Sequence, residues 1–237
     1  MKKFDIITLF PDAIEPYAKA SILGRAQKKK LISIKAHDLR PFSKDKHSKV
    51  DDTPYGGGAG MVMMIEPIDR AVRKITKHKS PITKSKSRVI VTSASGKRFT
   101  QKDAKRLSKY DQIIFICGRY EGIDARVEKE IADEALSIGD YVLTGGELPA
   151  MVMTDAIARH IPGILGSSVS LDEESHTKEG QLEYPQYTKP EVYDFVVGAR
   201  SVTRPLKRVK KLKVPPVLLS GNHAEIKKWR KENSKRA

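Results

Sequence analysis

Two glycine-rich turns, with Gly118 and Gly145 27 residues apart, hold the residue types in this sequence best suited to chemistry. The first follows the apolar run Ile113-Ile114-Phe115-Ile116-Cys117 and reads Gly118-Arg119-Tyr120-Glu121-Gly122. The second follows Ile138-Gly139-Asp140-Tyr141-Val142-Leu143 and reads Thr144-Gly145-Gly146-Glu147-Leu148-Pro149. A short apolar run bounded by glycine predicts a buried strand, and each run is followed by a stretch of helical character. In a parallel sheet, ligands bind beyond the carboxyl ends of the strands. Glycine there lets the main chain approach a ligand that a Cβ would hold off. One such motif alone reads as a tight turn. Two of them, carrying Tyr120, Glu121, Tyr141 and Glu147, predict a pocket that wraps one small molecule, a cofactor, with backbone groups.

The elements that must position these turns follow from the apolar pattern. Phe4 to Phe10 predicts a first strand, Ala13 to Lys29 a helix with Pro16 in its first turn, and Leu31 to Ile34 a second strand. Asp38 to Gly60 is polar, ends in Gly56-Gly57-Gly58-Ala59-Gly60 and reads as a loop, after which Glu66-Pro67 opens a helix. Residues 74 to 88 read as an exposed connection. Val89 to Thr92 predicts a strand with Ser93-Ala94-Ser95-Gly96 as its terminal loop, and a helix ends near His160. Strands alternating with helices indicate an α/β class with a largely parallel sheet over residues 1–166. Residues 167–180 are polar and acidic and read as a linker. Residues 181–237 predict a small, mainly helical C-terminal domain, its last helix starting after Ser220-Gly221-Asn222 with Ile226 and Trp229 on one face.

Composition narrows the partners. The chain has 237 residues, 39% of them hydrophobic, with no apolar run of the length that a membrane span needs. The Met1-Lys2-Lys3 start is soon interrupted by Asp5, Asp12 and Glu15, and no cleavage site follows, so a cytoplasmic location is expected. One cysteine cannot form an internal disulfide, and the six histidines lack metal-binding spacing, so no metal site is legible. Cys117 reads as a small buried hydrophobe. With 45 Lys+Arg against 29 Asp+Glu, the net charge of +16 favours a polyanionic partner. Only 6% of residues are aromatic and no RRM or OB-type aromatic pattern interleaves the basic ones, so a structured RNA held through its backbone and shape is expected rather than a stacked single strand.

Taken together the motifs resemble the bacterial tRNA (guanine-N1)-methyltransferase family of the SPOUT superfamily. The resemblance runs nearly end to end, through Ile7 to Pro11, Gly24 to Ala26, Asp51 to Met64, Cys117 to Asp124, Ile138 to Met151, Ile161 to Gly166, Tyr184 to Pro190 and Pro216 to Arg230. It implies a cofactor-binding half tied into a deep trefoil knot, which periodicity could not show. It also implies methyl transfer from S-adenosylmethionine to N1 of the guanosine at tRNA position 37, just 3′ of the anticodon. Cofactor contacts then fall on Ser93, Ala94, Gly118, Tyr120, Glu121, Gly122, Ile138, Tyr141, Leu143, Gly145, Gly146 and Pro149. Ala94 stands where the family commonly has proline. A homodimer with active sites at the subunit interface and a magnesium requirement are implied as well.

N1 of guanine carries a proton, so a carboxylate that accepts it while the methyl group transfers supplies the missing push. Charge then builds toward O6, where a guanidinium would stabilise it. The family's arginine falls on Arg159. Its catalytic aspartate falls on Glu174, a departure in residue type, with Asp172 two positions earlier as the alternative. Glu183 matches a position that helps place the target nucleotide. From Gly198 to Lys213, where related chains are commonly short, seven basic residues occur with no acidic one. A short amphipathic helix here, with Lys207, Arg208, Lys210 and Lys211 contacting phosphates, is expected; a solvated surface excursion is the alternative. Two other functions remain open on sequence alone. One is a SPOUT methyltransferase for ribosomal RNA or a ribose hydroxyl, and the other is an RNA-binding protein without catalysis.

Overall fold

The computed structural model describes residues 1–76, 86–165, 175–176, 182–197 and 208–234. The chain divides into two compact units, Met1–Gly166 and Ser167–Ala237. The first is built on five strands: β1 (Lys2–Thr8), β2 (Ile32–Asp38), β5 (Ser87–Arg98), β6 (Gln112–Cys117) and β7 (Glu134–Ser137). They lie in the order β2-β1-β6-β5-β7, and every neighbouring pair is parallel. Two short strands, β3 (Asp51–Asp52) and β4 (Val62–Met63), pair antiparallel beside this sheet.

Why the sheet is covered on both faces is written into its central strands. Along β6, Ile113, Phe115 and Cys117 enter one apolar cluster while Ile114 and Ile116 enter the other. On β1, Phe4 and Ile6 join the first cluster and Ile7 the second. Successive side chains of a strand point to opposite faces, so an unbroken apolar run marks a strand buried on both. The first cluster takes its cover from α1 (Glu15–Lys19), α2 (Ser21–Lys28), α4 (Gln101–Leu107) and α5 (Glu147–Ala158). The second packs against α3 (Ile65–Thr76), through Ile68, Ala71, Val72 and Ile75. A reciprocal pair of hydrogen bonds between Thr100 and Asp103 starts α4.

Several expectations are corrected. The single helix over Ala13–Lys29 is two, because Ala20 is extended (ψ 156°) and Ser21 has φ 42°. The loop ending in the glycine run contains β3, and Ile75, placed in an exposed connection, is buried at the end of α3. The expected strand over Ile138–Leu143 lies one element too late. The strand is β7, and it stops where the Ser137 hydroxyl donates to Gly139 O (2.8 Å) and accepts from Gly139 N (3.2 Å). Ser93 to Gly96 does not end its strand either. It is an interruption inside β5, which resumes at Lys97 and Arg98 against Leu136 and Ser137.

In the second unit, the described residues hold β8 (Val192–Val197) and β9 (Arg208–Lys213), an antiparallel pair, and α6 (His223–Asn233). The helix expected within 198–213 is therefore a strand over Arg208–Lys213, and the described part of this unit is mixed rather than mainly helical. Side chains at alternate positions of Val209, Lys210, Lys211, Leu212 and Lys213 suit a ribbon as well as a short helix, which is why spacing misleads here. The last helix starts where expected, with the Asn222 side chain accepting from Ala224 N (3.1 Å) and Glu225 N (3.3 Å). Trp229 meets Tyr187 edge to face, with ring centroids 6.2 Å apart, and Arg230 lies 4.8 Å from the Tyr184 ring.

Candidate active site

The interruption within β5 and the carboxyl ends of β6 and β7 open on one cleft of about 440 Å³. Its walls are Val91 to Ser95, Gly118 to Ala125 with Glu128, and Leu136 to Gly146 without Asp140, together with Pro149. All twelve residues expected to contact a cofactor line it: Ser93, Ala94, Gly118, Tyr120, Glu121, Gly122, Ile138, Tyr141, Leu143, Gly145, Gly146 and Pro149. The size suits a nucleoside-sized ligand, and the position is the one parallel sheets favour.

The two glycine turns touch directly. Gly146 N donates to Gly118 O at 2.9 Å. A Cβ on Gly146 would strike Thr92 Oγ1 and come within 2.8 Å of both Cys117 Cα and Gly118 N. The demand for glycine therefore comes from the neighbouring protein backbone rather than from ligand space. Behind this contact Glu147, 3% exposed, opens α5. A carboxylate at a helix N-terminus is favourable, but burial requires partners. Thr8 Oγ1 donates to Glu147 Oε1 (2.6 Å) and itself accepts from Phe10 N (2.9 Å). Arg119 Nε donates to Oε1 (3.3 Å), and its Nη2 lies 3.0 Å from Oε2. The same guanidinium donates to Thr144 O (3.0 Å) and lies 4.5 Å from the Phe10 ring centroid. Sequence reasoning missed Arg119. The available signal was Glu147 itself, a carboxylate placed behind two glycines and in need of a cation.

The glycine-rich segment before β4 forms the flank of the Gly118 turn. Glu121 N donates to Met61 O (3.0 Å), Met63 N to Gly122 O (3.0 Å) and Asp124 N to Met63 O (3.0 Å). Gly60 has φ 78°, and a Cβ there would lie 2.5 Å from Glu121 Cγ. Glu121 thus stands exposed at the cleft, with glycine leaving room for its side chain. Asp124, also in the lining, is held below the usual carboxylate range, chiefly by the hydrogen bond from the Arg126 side chain. The Cys117 thiol is fully buried. Burial first, and the Glu147 carboxylate second, push its pKa well above that of an ordinary thiol, so it offers no nucleophile.

Arg159 follows the last residue of α5, half-buried, at the end of that helix opposite Gly146, and is not among the cleft's lining residues. Glu174, Asp172 and Lys207 fall outside the described residues. Glu183 is exposed; its N donates to Ser175 Oγ (2.9 Å), and its Oε1 accepts from Gln186 Nε2 (2.6 Å). Arg208, Lys210 and Lys211 are in β9. Among the described residues, no three His, Cys, Asp or Glu side chains converge as a metal cage would require, so no step is assigned to magnesium. No helix among them is long and apolar enough to cross a membrane.

Comparison with known proteins accords with this geometry. The chain is 50% identical to the tRNA (guanine-N(1)-)-methyltransferase of Ruminiclostridium cellulolyticum, over 98% of its own length and 91% of the relative's. It is 49% identical to the proteins of the same name from Dictyoglomus turgidum, over 99% and 85% of the two lengths, and Mycoplasmopsis agalactiae, over 97% and 90%. Residues 1–237 match the family described as tRNA (Guanine-1)-methyltransferase TrmD. With matching that extends over both units, the chain belongs to the tRNA (Guanine-1)-methyltransferase TrmD family.

Proposed function

We propose that this chain is a homodimeric tRNA methyltransferase that uses S-adenosylmethionine to methylate N1 of guanosine at position 37, in the cytoplasm. The observation that carries the reading is the cleft formed by the interruption within β5 and the ends of β6 and β7, in a chain of this family. When bound, S-adenosylmethionine supplies an electrophilic methyl group. The turns at Gly118 and Gly145, which line the cleft, would hold it through main-chain groups, and the Glu121 carboxylate would offset its positive charge. Glu174 takes the N1 proton, with Asp172 as the alternative base. The Arg159 guanidinium stabilises charge at O6. The knotted chain path implied by the resemblance belongs to the same reading, as do a linker over 167–180 and tRNA binding by 181–237. The +16 charge raises the local concentration of tRNA.

Two features support the dimer. Along α5, Leu148 and Val152 are 65% and 49% exposed at adjacent turns, and the nearby Val142 is 85% exposed. This is an apolar face in want of a partner. The 12 residues of α5 also span about 18 Å, which separates Arg159 from the cleft beside Gly146. A second copy supplying its own Arg159 and linker would complete the site.

The decisive experiment is methyl transfer to unmodified tRNA transcripts carrying G or A at position 37, followed by mapping of the methyl group. N1-methylguanosine at position 37, formed only on the G transcript, is the expected product. Methyl on a ribose, or on ribosomal RNA alone, would replace this reading with another methyltransferase. Tight RNA binding without any transfer would reduce the chain to an RNA-binding protein.

A further inference from the structure

The β8–β9 ribbon sorts its side chains by face. In its antiparallel register Tyr193 stands opposite Leu212 and Phe195 opposite Lys210, while Asp194 stands opposite Lys211. Directly opposed residues share a face and successive ones alternate. One face therefore carries Tyr193, Phe195, Leu212 and Lys210, with no acidic residue among them. The other carries Asp194 opposite Lys211. Tyr193, Phe195, Leu212 and Lys210 are exposed, with Tyr193 at 55% and Phe195 at 47%.

An isolated two-stranded ribbon is marginally stable in water, and uncovered aromatic side chains on it call for a ligand. Charge selects among the occupants. Over Val192–Val197 and Arg208–Lys213 the sequence holds four basic residues and one acidic residue. A second copy of so basic a ribbon would repel it, whereas a polyanion would be drawn to it. Aromatic rings beside a lysine that makes no ion pair among the described residues provide what unpaired bases on a phosphate backbone need, a stacking surface and a cation.

We infer that the Tyr193–Phe195–Lys210–Leu212 face docks unpaired nucleotides of the tRNA substrate, stacking bases on the aromatic rings with Lys210 on a phosphate. This rests on the functional reading above and goes beyond it, since it names a contact surface and a mode of contact. It replaces the helical phosphate clamp expected from sequence with a ribbon that contributes stacking as well as charge.

The test uses the full chain and an unmodified tRNA transcript with G at position 37. Tyr193→Thr together with Phe195→Thr keeps β-forming residues in place and should weaken tRNA binding about tenfold or more, leaving the salt dependence unchanged. Lys210→Ser removes little apolar surface and should lower the log–log salt slope by roughly 0.7–0.9. Tyr193→Phe should bind as the wild type does, and all variants should retain cofactor affinity by calorimetry. Wild-type tRNA affinity in the threonine pair, or an unchanged slope in Lys210→Ser, would overturn the proposal. So would a threonine pair whose only defect is dissociation of the dimer in sedimentation, since the face would then bind protein. A wild-type chain that methylates no tRNA would instead remove the functional reading on which the inference rests.

Discussion

Arg119 and Glu147, 28 residues apart in the chain, form an ion pair with Nη2 3.0 Å from Oε2 behind the cleft. The pair joins the turn after β6 to the first residue of α5. Through Thr144 O, Thr8 and Phe10 it also ties in the turn before α5 and the end of β1. Cleft geometry thus depends on a charged contact between a wall residue, Arg119, and the buried Glu147.

Removing one partner of a buried pair leaves an uncompensated charge, which is more damaging than removing both. Arg119→Ala should lower unfolding free energy by about 3 kcal/mol. The double variant Arg119→Ala with Glu147→Gln should recover part of that loss. Urea denaturation of the three proteins measures both effects. A double variant less stable than Arg119→Ala would show that Glu147 acts independently of the arginine.

The two glycine turns make separable demands. Gly146→Val places atoms against Thr92, Cys117 and Gly118, so it should destabilise the fold by about 2 kcal/mol or more, along with any effect on ligand binding. At Gly118 a Cβ would find Ile123 Cδ1 at 3.5 Å and Thr92 O at 3.6 Å, ordinary contacts. Gly118→Ala should therefore keep its melting temperature while S-adenosylmethionine affinity falls, as read by calorimetry. Normal affinity in that variant would move the ligand away from the Gly118 turn.

Proton removal and charge stabilisation should be separable from binding. Glu174→Gln should nearly eliminate single-turnover methyl transfer while tRNA and cofactor affinities persist. Asp172→Asn as the more damaging change would transfer the role of base to Asp172, and equally mild losses would clear both. Arg159→Ala should slow the chemical step more than it weakens cofactor binding. A normal single-turnover rate would remove Arg159 from catalysis.

Lys2 gives the fold a signature in alkali. Its Nζ donates to Leu107 O (2.7 Å) and Tyr110 O (2.5 Å). Burial lowers its pKa from 10.5 to about 8, against the opposing pull of Asp111. Between those values the unfolded chain binds more protons than the folded one, so stability rises with pH across that window. Allowing for screening, the rise should be about 1–2 kcal/mol. Denaturant midpoints measured from neutral pH to about pH 10 should show it in the wild type and not in Lys2→Met.

The sequence makes β6 easy to read, because Ile113 to Cys117 is apolar at every position and glycine ends it. β7 is hidden for the opposite reason. Its residues Glu134-Ala135-Leu136-Ser137 look polar, yet Glu134 is taken up by Arg88 (2.9 Å) and Arg106 (2.7 Å), and Leu136 is fully buried. Tyr141, Val142 and Leu143 imitate a strand because they are apolar, although all three are exposed. The two glycine turns of the cleft were legible because glycine marks close backbone approach, while Ser93, Ala94 and Pro149 came with the family resemblance. The Arg119 network was not, since spacing carries no information about which side chains meet across a turn.

The buried thiol of Cys117, the chain's only cysteine, gives the molecule a built-in clock. It sits at the last residue of β6, fully enclosed, directly before the Gly118 turn. A disulfide reagent can modify it only during moments when that strand end opens, so the labelling rate counts those openings without any engineered probe. Ligand held between the two turns would slow the clock. Cofactor occupancy could then be followed by thiol chemistry in a protein that needs no added label.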